Sequence, residues 1–507
     1  MAHTAMSNTA ASRQPLPFWL SPAGLTVIVL ALTLLRIITG MNVGLVEDEA
    51  YYRIWGLNPA AGYYDHPPMV GWWIWIGQAL AGDTALGVRL LSILSATIGS
   101  LALWRTASNL FDKRIAGWSV LFLNASILVG VGALISTPDA PSVFFWGLAL
   151  WSMAELVRSQ NANWWLLVGI FAGFGLLSKY SVLFLGAGIV LWLLWVPEAR
   201  RWFASWQLWI GGLLAIAVFS PTLYWNYVHE WASFVKQFGR AVPEGYTLKY
   251  IGEFIGAVAG LLNPLIFILV LFGIGPIFKK TWKRDQVASL LLLTIVPFLI
   301  YLSAHSLHSR VQGNWPAPIF PTFAMIAAYG LVHASDKWQR FCHRLGVGGV
   351  ILGFLVTALV CVHAYSPLIE GLKRKDPTHQ LRGWAPIAQK VEELAKENGI
   401  NWVATTSYAV TGQMSDQLKD TPLKVRQLNE RERYLMVPKD TPLASDDSIY
   451  VVEERRDRSK QLLDSFEIVE PLASMPRLSG GSPIETVNIY RVSRPRNEQG
   501  YDGIPLR

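Results

Sequence analysis

Three carboxylates stand side by side at Glu47-Asp48-Glu49, followed by Tyr51-Tyr52 and then by Tyr63-Tyr64-Asp65-His66-Pro67-Pro68. Like charges in a row repel, and burying any of them is costly unless a cation or a proton compensates. One could serve as a general base toward an acceptor hydroxyl or amine, and another could fix a sugar or a divalent cation. The plainer account is an acidic loop in water. Asp139, in Ser136-Thr137-Pro138-Asp139-Ala140-Pro141, is either a helix cap after a helix-breaking proline or a further acid of the same kind. Lys179, in Ser178-Lys179-Tyr180-Ser181, sits between two apolar runs. It could snorkel to a membrane surface or receive a phosphate. Between Ser303 and Pro316 lie His305, His308, Arg310, Gln312 and Asn314, a run of donors with no carboxylate. Such a run suits an anion that arginine can grip with two parallel bonds, or is an ordinary polar loop. The chain has no His-x-x-x-His, no close cysteine pair and no glycine-rich phosphate loop. A strong zinc site and nucleotide binding are therefore disfavoured.

These residues need a frame, and composition says which kind. Of 507 residues, 52% are hydrophobic and 15% charged, with 23 tryptophans. Soluble domains carry about 25% charged residues, so this is membrane composition. Apolar runs of roughly 20 residues fall near 22–42, 85–106, 115–135, 140–157, 163–178, 181–197, 206–224, 250–277, 287–304, 315–333 and 346–366, predicting about eleven crossings. With every run crossing, Arg13, Arg105, Lys113, Arg114, Arg158, Arg200, Arg201, Lys279, Lys280, Lys283, Arg284, Lys337, Arg340 and Arg344 fall on one side. That side is the cytosol by the positive-inside rule, with the N-terminus in it. The chemistry-bearing loops then share the opposite face. Met69–Ala81, with Trp72, Trp73 and Trp75, is too short to cross easily and suits a helix lying in the interface. The loop from Tyr224 to Tyr250, with Asn226, His229, Lys236 and Arg240, reads as mostly solvated. A formal charge of +8 carried in short clusters is a topology signal and argues against nucleic acid. Cys342 and Cys361 fall in different settings, which argues against a disulfide.

After about Tyr365 the apolar runs shorten and charges become frequent. The predicted division is a membrane domain over 1–366 and an extracytoplasmic soluble α/β domain over 367–507. In the latter, Trp384–Asn398 and Arg456–Phe466 read as helices. Trp402–Thr406, Ser448–Glu453, Phe466–Val469 and Thr486–Val492 read as strands, and Pro495–Arg507 as a loose tail.

Glu47-Asp48-Glu49-Ala50-Tyr51-Tyr52, His66-Pro67-Pro68, Thr137-Pro138-Asp139-Ala140-Pro141, Gly173-Phe174-Gly175-Leu176-Leu177-Ser178-Lys179-Tyr180 and Asn314-Trp315-Pro316-Ala317 occur in that order. In this the chain resembles the GT-C membrane glycosyltransferases, in the branch of the protein O-mannosyltransferases and the lipid A aminoarabinose transferase, over about residues 20–335. The resemblance implies a polyprenyl-phosphate-linked sugar donor, transfer on the extracytoplasmic face and inversion at the anomeric carbon. It implies a catalytic set of Asp48, Glu49 and Asp139, with Asp48 as the base or acceptor-orienting group. Lys179, Arg310, His66 and His308 become the expected donor-phosphate partners, His66 standing where several relatives carry lysine. Glu47, Tyr52, Asp65 and Asn314 are expected to touch substrate. The β-trefoil insert of the mannosyltransferases is missing, which favours a bacterial inner-membrane enzyme with an envelope acceptor: lipid A or lipopolysaccharide, a glycolipid or a polysaccharide. Protein O-mannosylation, or a transporter or flippase of a lipid-linked sugar, is the rival reading. Transporters place ionisable groups near the midplane and often show paired halves, whereas these groups gather at one surface.

Overall fold

The computed structural model describes residues 16–239, 245–437 and 447–496. Arg13, Arg240 and the tail beyond Arg496 lie outside them. The membrane part runs through α1 (Pro22–Asn42), α2 (Glu47–Leu57), α3 (Met69–Ala81), α4 (Ala85–Leu110), α5 (Lys113–Ala125), α6 (Ile127–Gly130), α7 (Asp139–Ser159), α8 (Trp164–Ser178) and α9 (Leu183–Trp195). It continues through α10 (Trp206–Val228), α11 (Ala232–Gly239), α12 (Lys249–Leu262), α13 (Pro264–Trp282), α14 (Gln286–Leu293), α15 (Val296–His305), α16 (Phe320–Val332) and α17 (Asp336–Tyr365).

Among the described residues, seven helical segments are long and apolar enough to cross a bilayer. Two bent pairs, Lys113–Ala125 with Ile127–Leu134 and Tyr180–Trp195 with Pro197–Ala204, bring the number to nine if each is one span. Trp164–Ser178 and Ala317–Val332 are apolar but shorter. Eleven full crossings are thus not established, because hydropathy counts apolar residues without seeing where the chain turns. The expected run 250–277 shows this. Asn263, at φ +85°, ends α12, and its side chain caps α13 by accepting from the Leu265 amide, with Pro264 opening the new helix.

Helices α13 and α16 cross with their backbones touching. A Cβ on Gly330 would lie 2.6 Å from the Gly273 nitrogen and 2.5 Å from the Leu269 carbonyl oxygen. Small residues permit this approach, which gains packing where apolar lipid offers no hydrophobic drive.

The remainder of the chain forms α18 (Trp384–Glu397), β1 (Trp402–Thr405), α19 (Tyr408–Gln417), β2 (Lys424–Gln427), β3 (Ser448–Glu453), α20 (Ser459–Leu462), β4 (Phe466–Ser479) and β5 (Ser482–Pro495). The sheet order is β2-β1-β3-β5-β4, parallel across β2-β1-β3 and antiparallel across β3-β5-β4. One face packs Ile387, Val391 and Met414 of the helices against Val403, Ile449 and Ile489. The structure corrects the expected elements in three places. Helix α19 and strand β2 were not expected, the helix expected over 456–466 is the single turn α20, and the last two strands extend into one long hairpin.

Helix α19 lies on α2. Gly412 allows the crossing, because a Cβ there would sit 2.6 Å from the Tyr51 nitrogen. On either side, Gln413 Nε2 donates to Leu45 O at 2.8 Å and Arg53 Nη1 donates to Ser415 O at 3.1 Å. The soluble domain is thereby fixed over α2.

Gly330→Leu forces a branched side chain into the α13–α16 crossing. Overpacking of this kind costs about 1–3 kcal/mol. The expected outcome is a lowered thermal midpoint of the detergent-solubilised protein, read by intrinsic tryptophan fluorescence.

Candidate active site

Successive residues on an α-helix are rotated by about 100°. The three carboxylates form the first turn of α2, where the helix dipole favours negative charge. They therefore point in three directions and meet three environments.

Glu49 points inward and is fully buried, as is Arg89 of α4. Arg89 Nε donates to Glu49 Oε1 at 2.9 Å, and Nη2 donates to Oε2 at 2.5 Å. The Val46 amide adds a bond to Oε2 at 3.1 Å and the Ser136 amide one to Oε1 at 2.9 Å. Arg89 spends its other donors on the carbonyls of Gly40, Val43 and Gly44. With its lone pairs so engaged, Glu49 is built into the frame, and it lines neither of the cavities described below.

Glu47 points to the soluble domain. Its amide donates to Gln380 Oε1 at 3.2 Å. Its side chain is buried near Glu453, Arg477, Arg374 and Arg456, and burial, with Glu453 adding to it, pushes its carboxyl above the usual range. The structure does not bring Glu47 to substrate space.

Asp48 points into open space, where two cavities meet. The more polar one, of about 640 Å³, is bounded by Tyr52, Asp65, His66, Lys179 and Tyr408 together with Phe184 and Phe298 among others. An apolar one of about 400 Å³ runs between α4, α5, α7 and α16, past Leu103, Leu150, Phe144 and Met325. Asp48, Thr137, Asp139 and Asn314 line both. Burial pushes the half-buried Asp48 carboxyl above the usual range, with Asp139, Asp65 and Glu49 adding to it. A hydrogen bond from Tyr408 Oη, at 3.2 Å, opposes the shift.

Asp139 is the first residue of α7, with Pro138 in the N-cap position before it. Its carboxylate accepts from Lys179 Nζ at 2.6 Å and from Asn314 Nδ2 at 2.5 Å. The capping alternative is set aside, and Lys179 is settled at the cavity wall beside Asp139. Asp65 accepts from Tyr51 Oη at 2.8 Å and pairs with Arg433 Nη1 at 2.5 Å and with Lys236 Nζ. Burial works against its charge, but Arg433 and Lys236 outweigh burial and hold Asp65 at about 2. Lys236, expected to be solvated, is thus part of the site's frame. Tyr52 is buried and stands edge-on to His66, with ring centres 6.3 Å apart.

The loop after α15 divides. Asn314 and Gln312 line the polar cavity. Arg310 is 67% exposed and pairs with Glu253 at 2.8 Å, and His308 packs on His305 with ring centres 4.6 Å apart. Neither lines the two cavities at Asp48, so the structure does not bring these two expected phosphate partners beside it. A run of donors in sequence does not fix which way each one faces. Among the described residues, no group of three or more His, Cys, Asp or Glu side chains is placed to hold a metal ion.

Three participants were not anticipated. Arg89, a lone arginine inside an apolar run, carried a readable signal, since an ionisable group there usually has a partner. Tyr408 and Arg433 belong to the soluble domain, and nothing in their local sequence marks them.

The mostly helical membrane part with the small C-terminal sheet domain has an ArnT-like GT-C fold, as comparison with solved structures shows. Residues 65–225 match the family described as dolichyl-phosphate-mannose-protein mannosyltransferase. The chain is similar to the lipid A galacturonosyltransferase RgtD of Rhizobium johnstonii, 24% identical over 413 residues, covering 80% of this chain and 85% of that protein. It is also similar to the undecaprenyl phosphate-alpha-4-amino-4-deoxy-L-arabinose arabinosyl transferase of Erwinia tasmaniensis. That match is 26% identical over 300 residues, 54% of this chain and 50% of the relative, so it spans half of that protein's length. Among solved structures, ArnT from Cupriavidus metallidurans bound to undecaprenyl phosphate superposes with a TM-score of 0.63 at 16% identity, covering 93% of this chain and 98% of that one. The apo Archaeoglobus fulgidus oligosaccharyltransferase gives 0.52 at 12% identity, covering 90% and 71%.

Arg89→Ala leaves the Glu49 charge buried without its partner. Breaking a buried pair from one side costs about 3–5 kcal/mol. Loss of monodisperse protein on size-exclusion chromatography, or a much lower thermal midpoint, is the expected outcome.

Proposed function

We propose that the chain is an inverting, polyprenyl-phosphate-sugar-dependent glycosyltransferase that moves the sugar to a cell-envelope acceptor: lipid A or lipopolysaccharide, a glycolipid or a polysaccharide. The observation that carries the reading is the meeting of an apolar and a polar cavity at Asp48, Asp139 and Asn314. A lipid-linked sugar has the same division, a hydrocarbon chain joined through phosphate to a polar ring. The relatives named for sugar transfer from undecaprenyl phosphate and for lipid A support the same substrates.

The chemistry follows from the charges. The acceptor oxygen attacks the anomeric carbon from the face opposite the phosphate, its proton passes to the Asp48 carboxylate, and the carbon–oxygen bond to phosphate breaks. Polyprenyl phosphate leaves with the bonding pair. Lys179 faces the charge that grows on the phosphate, while Asp139 holds Lys179 and faces the cation-like sugar carbon. Burial makes Asp48 a stronger base than an exposed aspartate, and it acts while ionised. Phosphate is a good leaving group, so no acid is needed. Glu49 positions Asp48 through the frame, and Tyr52, His66 and Asn314 are assigned to the sugar.

The protein is a multi-pass membrane protein, and we place it in the bacterial inner membrane. Arg105, Arg158, Lys280 and Arg284 lie at the ends of spans away from the site, so by the positive-inside rule the N-terminus is cytoplasmic and the site and soluble domain are periplasmic.

Purified protein supplied with radiolabelled polyprenyl-phosphate sugars and an envelope lipid extract is expected to label a lipid product. Binding without transfer for every donor overturns the enzyme reading in favour of a flippase. Asp48→Asn is expected to lower kcat by about 10²–10⁴-fold with the fold intact by circular dichroism. Lys179→Ala is expected to raise donor KM about tenfold, the loss of one charge-assisted hydrogen bond, whereas Arg310→Ala leaves it unchanged. A raised KM in Arg310→Ala returns the phosphate to the loop after α15.

A further inference from the structure

We infer that Tyr408, delivered by the soluble domain, is a positioning residue for the Asp48 base, so that docking of this domain is a part of catalysis. The inference rests on the glycosyl-transfer reading above and adds a group from outside the membrane domain to it.

Asp48 is half-buried, and around it stand three further carboxylates, Asp139 and Asp65 across the cavity and Glu49 behind it. The first two have cationic partners of their own, Lys179 for Asp139 and Arg433 with Lys236 for Asp65. Glu49 has Arg89. At Asp48 the bond is to a neutral donor, the Tyr408 hydroxyl at 3.2 Å. A neutral donor suits a base. A lysine or arginine in the same place would hold the carboxylate ionised but weaken its pull on a proton. A hydroxyl orients one oxygen and leaves the other for the acceptor.

The tyrosine is held from several sides. Its ring centre lies 5.2 Å from that of Tyr51, and the Arg433 guanidinium sits over it at 5.1 Å. Arg433 is tied to Glu430 of its own domain and to Asp65 of the membrane domain. Tyr408 opens α19, the helix whose Gly412 rests on the α2 backbone at Tyr51, three residues beyond Asp48. The hydroxyl and the carboxylate therefore sit on two helices locked at one crossing. Their separation is set by the docking of one domain on the other.

If the hydroxyl supports the ionised base, its removal must act on protonation. The Tyr408 bond lowers the Asp48 pKa against the effects of burial, Asp139, Asp65 and Glu49. Tyr52, His66, Lys179 and Arg433 also face this cavity, and Tyr408→Phe leaves them all in place. In Tyr408→Phe the Asp48 pKa rises, less of the base is ionised at a given pH, and the acid limb of the rate profile moves to higher pH.

The test uses the full chain in detergent, with a labelled polyprenyl-phosphate sugar as donor and kcat/KM measured from pH 5 to pH 9. Tyr408→Phe is expected to lower the rate about tenfold on the acid limb, mainly in kcat, as that limb is displaced upward by roughly one pH unit. Binding of undecaprenyl phosphate alone is expected to stay as in the wild type. A profile that is unchanged, or scaled down equally at every pH, overturns the positioning role. Gly412→Leu provides a second measurement by prising α19 off α2. A low kcat with retained undecaprenyl phosphate binding supports the inference, and a wild-type kcat overturns it. Absence of transfer by the wild type with every donor overturns the reaction itself, and this inference with it. Normal wild-type transfer beside an unmoved Tyr408→Phe limb overturns the inference alone.

Discussion

The buried ion pair between Glu49 and Arg89 is the interaction on which the rest of the site depends. Moving two charges out of water costs several kcal/mol each, and the pair is tolerated only if geometry and hydrogen bonding are complete. Here they are. The carboxylate takes Arg89 twice, the Val46 amide and the Ser136 amide, while the guanidinium closes on the carbonyls of Gly40, Val43 and Gly44. One knot therefore holds the end of α1, the start of α2, the body of α4 and the turn before α7. Asp48 precedes Glu49 by one residue and Asp139 follows Ser136 by three. The two acids inherit their separation from this knot.

Around that frame, environment rather than residue type decides what each carboxylate does. Asp65 meets two cations and is held down at about 2, while Asp48 meets a hydroxyl and is pushed up by burial and like charge. Groups of one chemical type thus differ in proton affinity because their environments differ, and of these two only Asp48 is left with an affinity above that of an ordinary carboxylate beside the cavities. Asp139 is different again, spending its charge on Lys179 and Asn314. Because Lys179 is held by an acid, the cavity avoids a bare buried cation.

The soluble domain is joined to this chemistry as well as to the chain. Residues from α19 and the segment after β2 reach the polar cavity, and the α19–α2 crossing is close enough that a single methyl would disturb it. A membrane enzyme gains from such a cover, since removing water strengthens every charge interaction beneath it.

The fold class was legible in the sequence, and so was a set of candidate residues that the structure gathers around one cavity. Apolar runs of spanning length, basic clusters on alternate loops and an abrupt change of composition near Tyr365 are local signals, because a bilayer acts on each segment separately. Loop position and motif order nominate Asp48, Asp139, Lys179, His66 and Asn314, and all five line the polar cavity. Helix rotation decided among the adjacent acids, sending Glu49 to Arg89 and Glu47 to the soluble domain. Arg310 and His308 lie away from the two cavities, because residue type shows what a side chain can bind and not which way it faces. Helix α19 escaped notice because its Thr411 and Gln413 are buried, facing partners the apolar pattern does not describe. Tyr408 is 360 residues from Asp48 in sequence. The sequence by itself determined which groups lie near one membrane face, since that depends on local hydropathy and charge. Only the tertiary structure decided which of them meet, since that depends on the docking of distant helices.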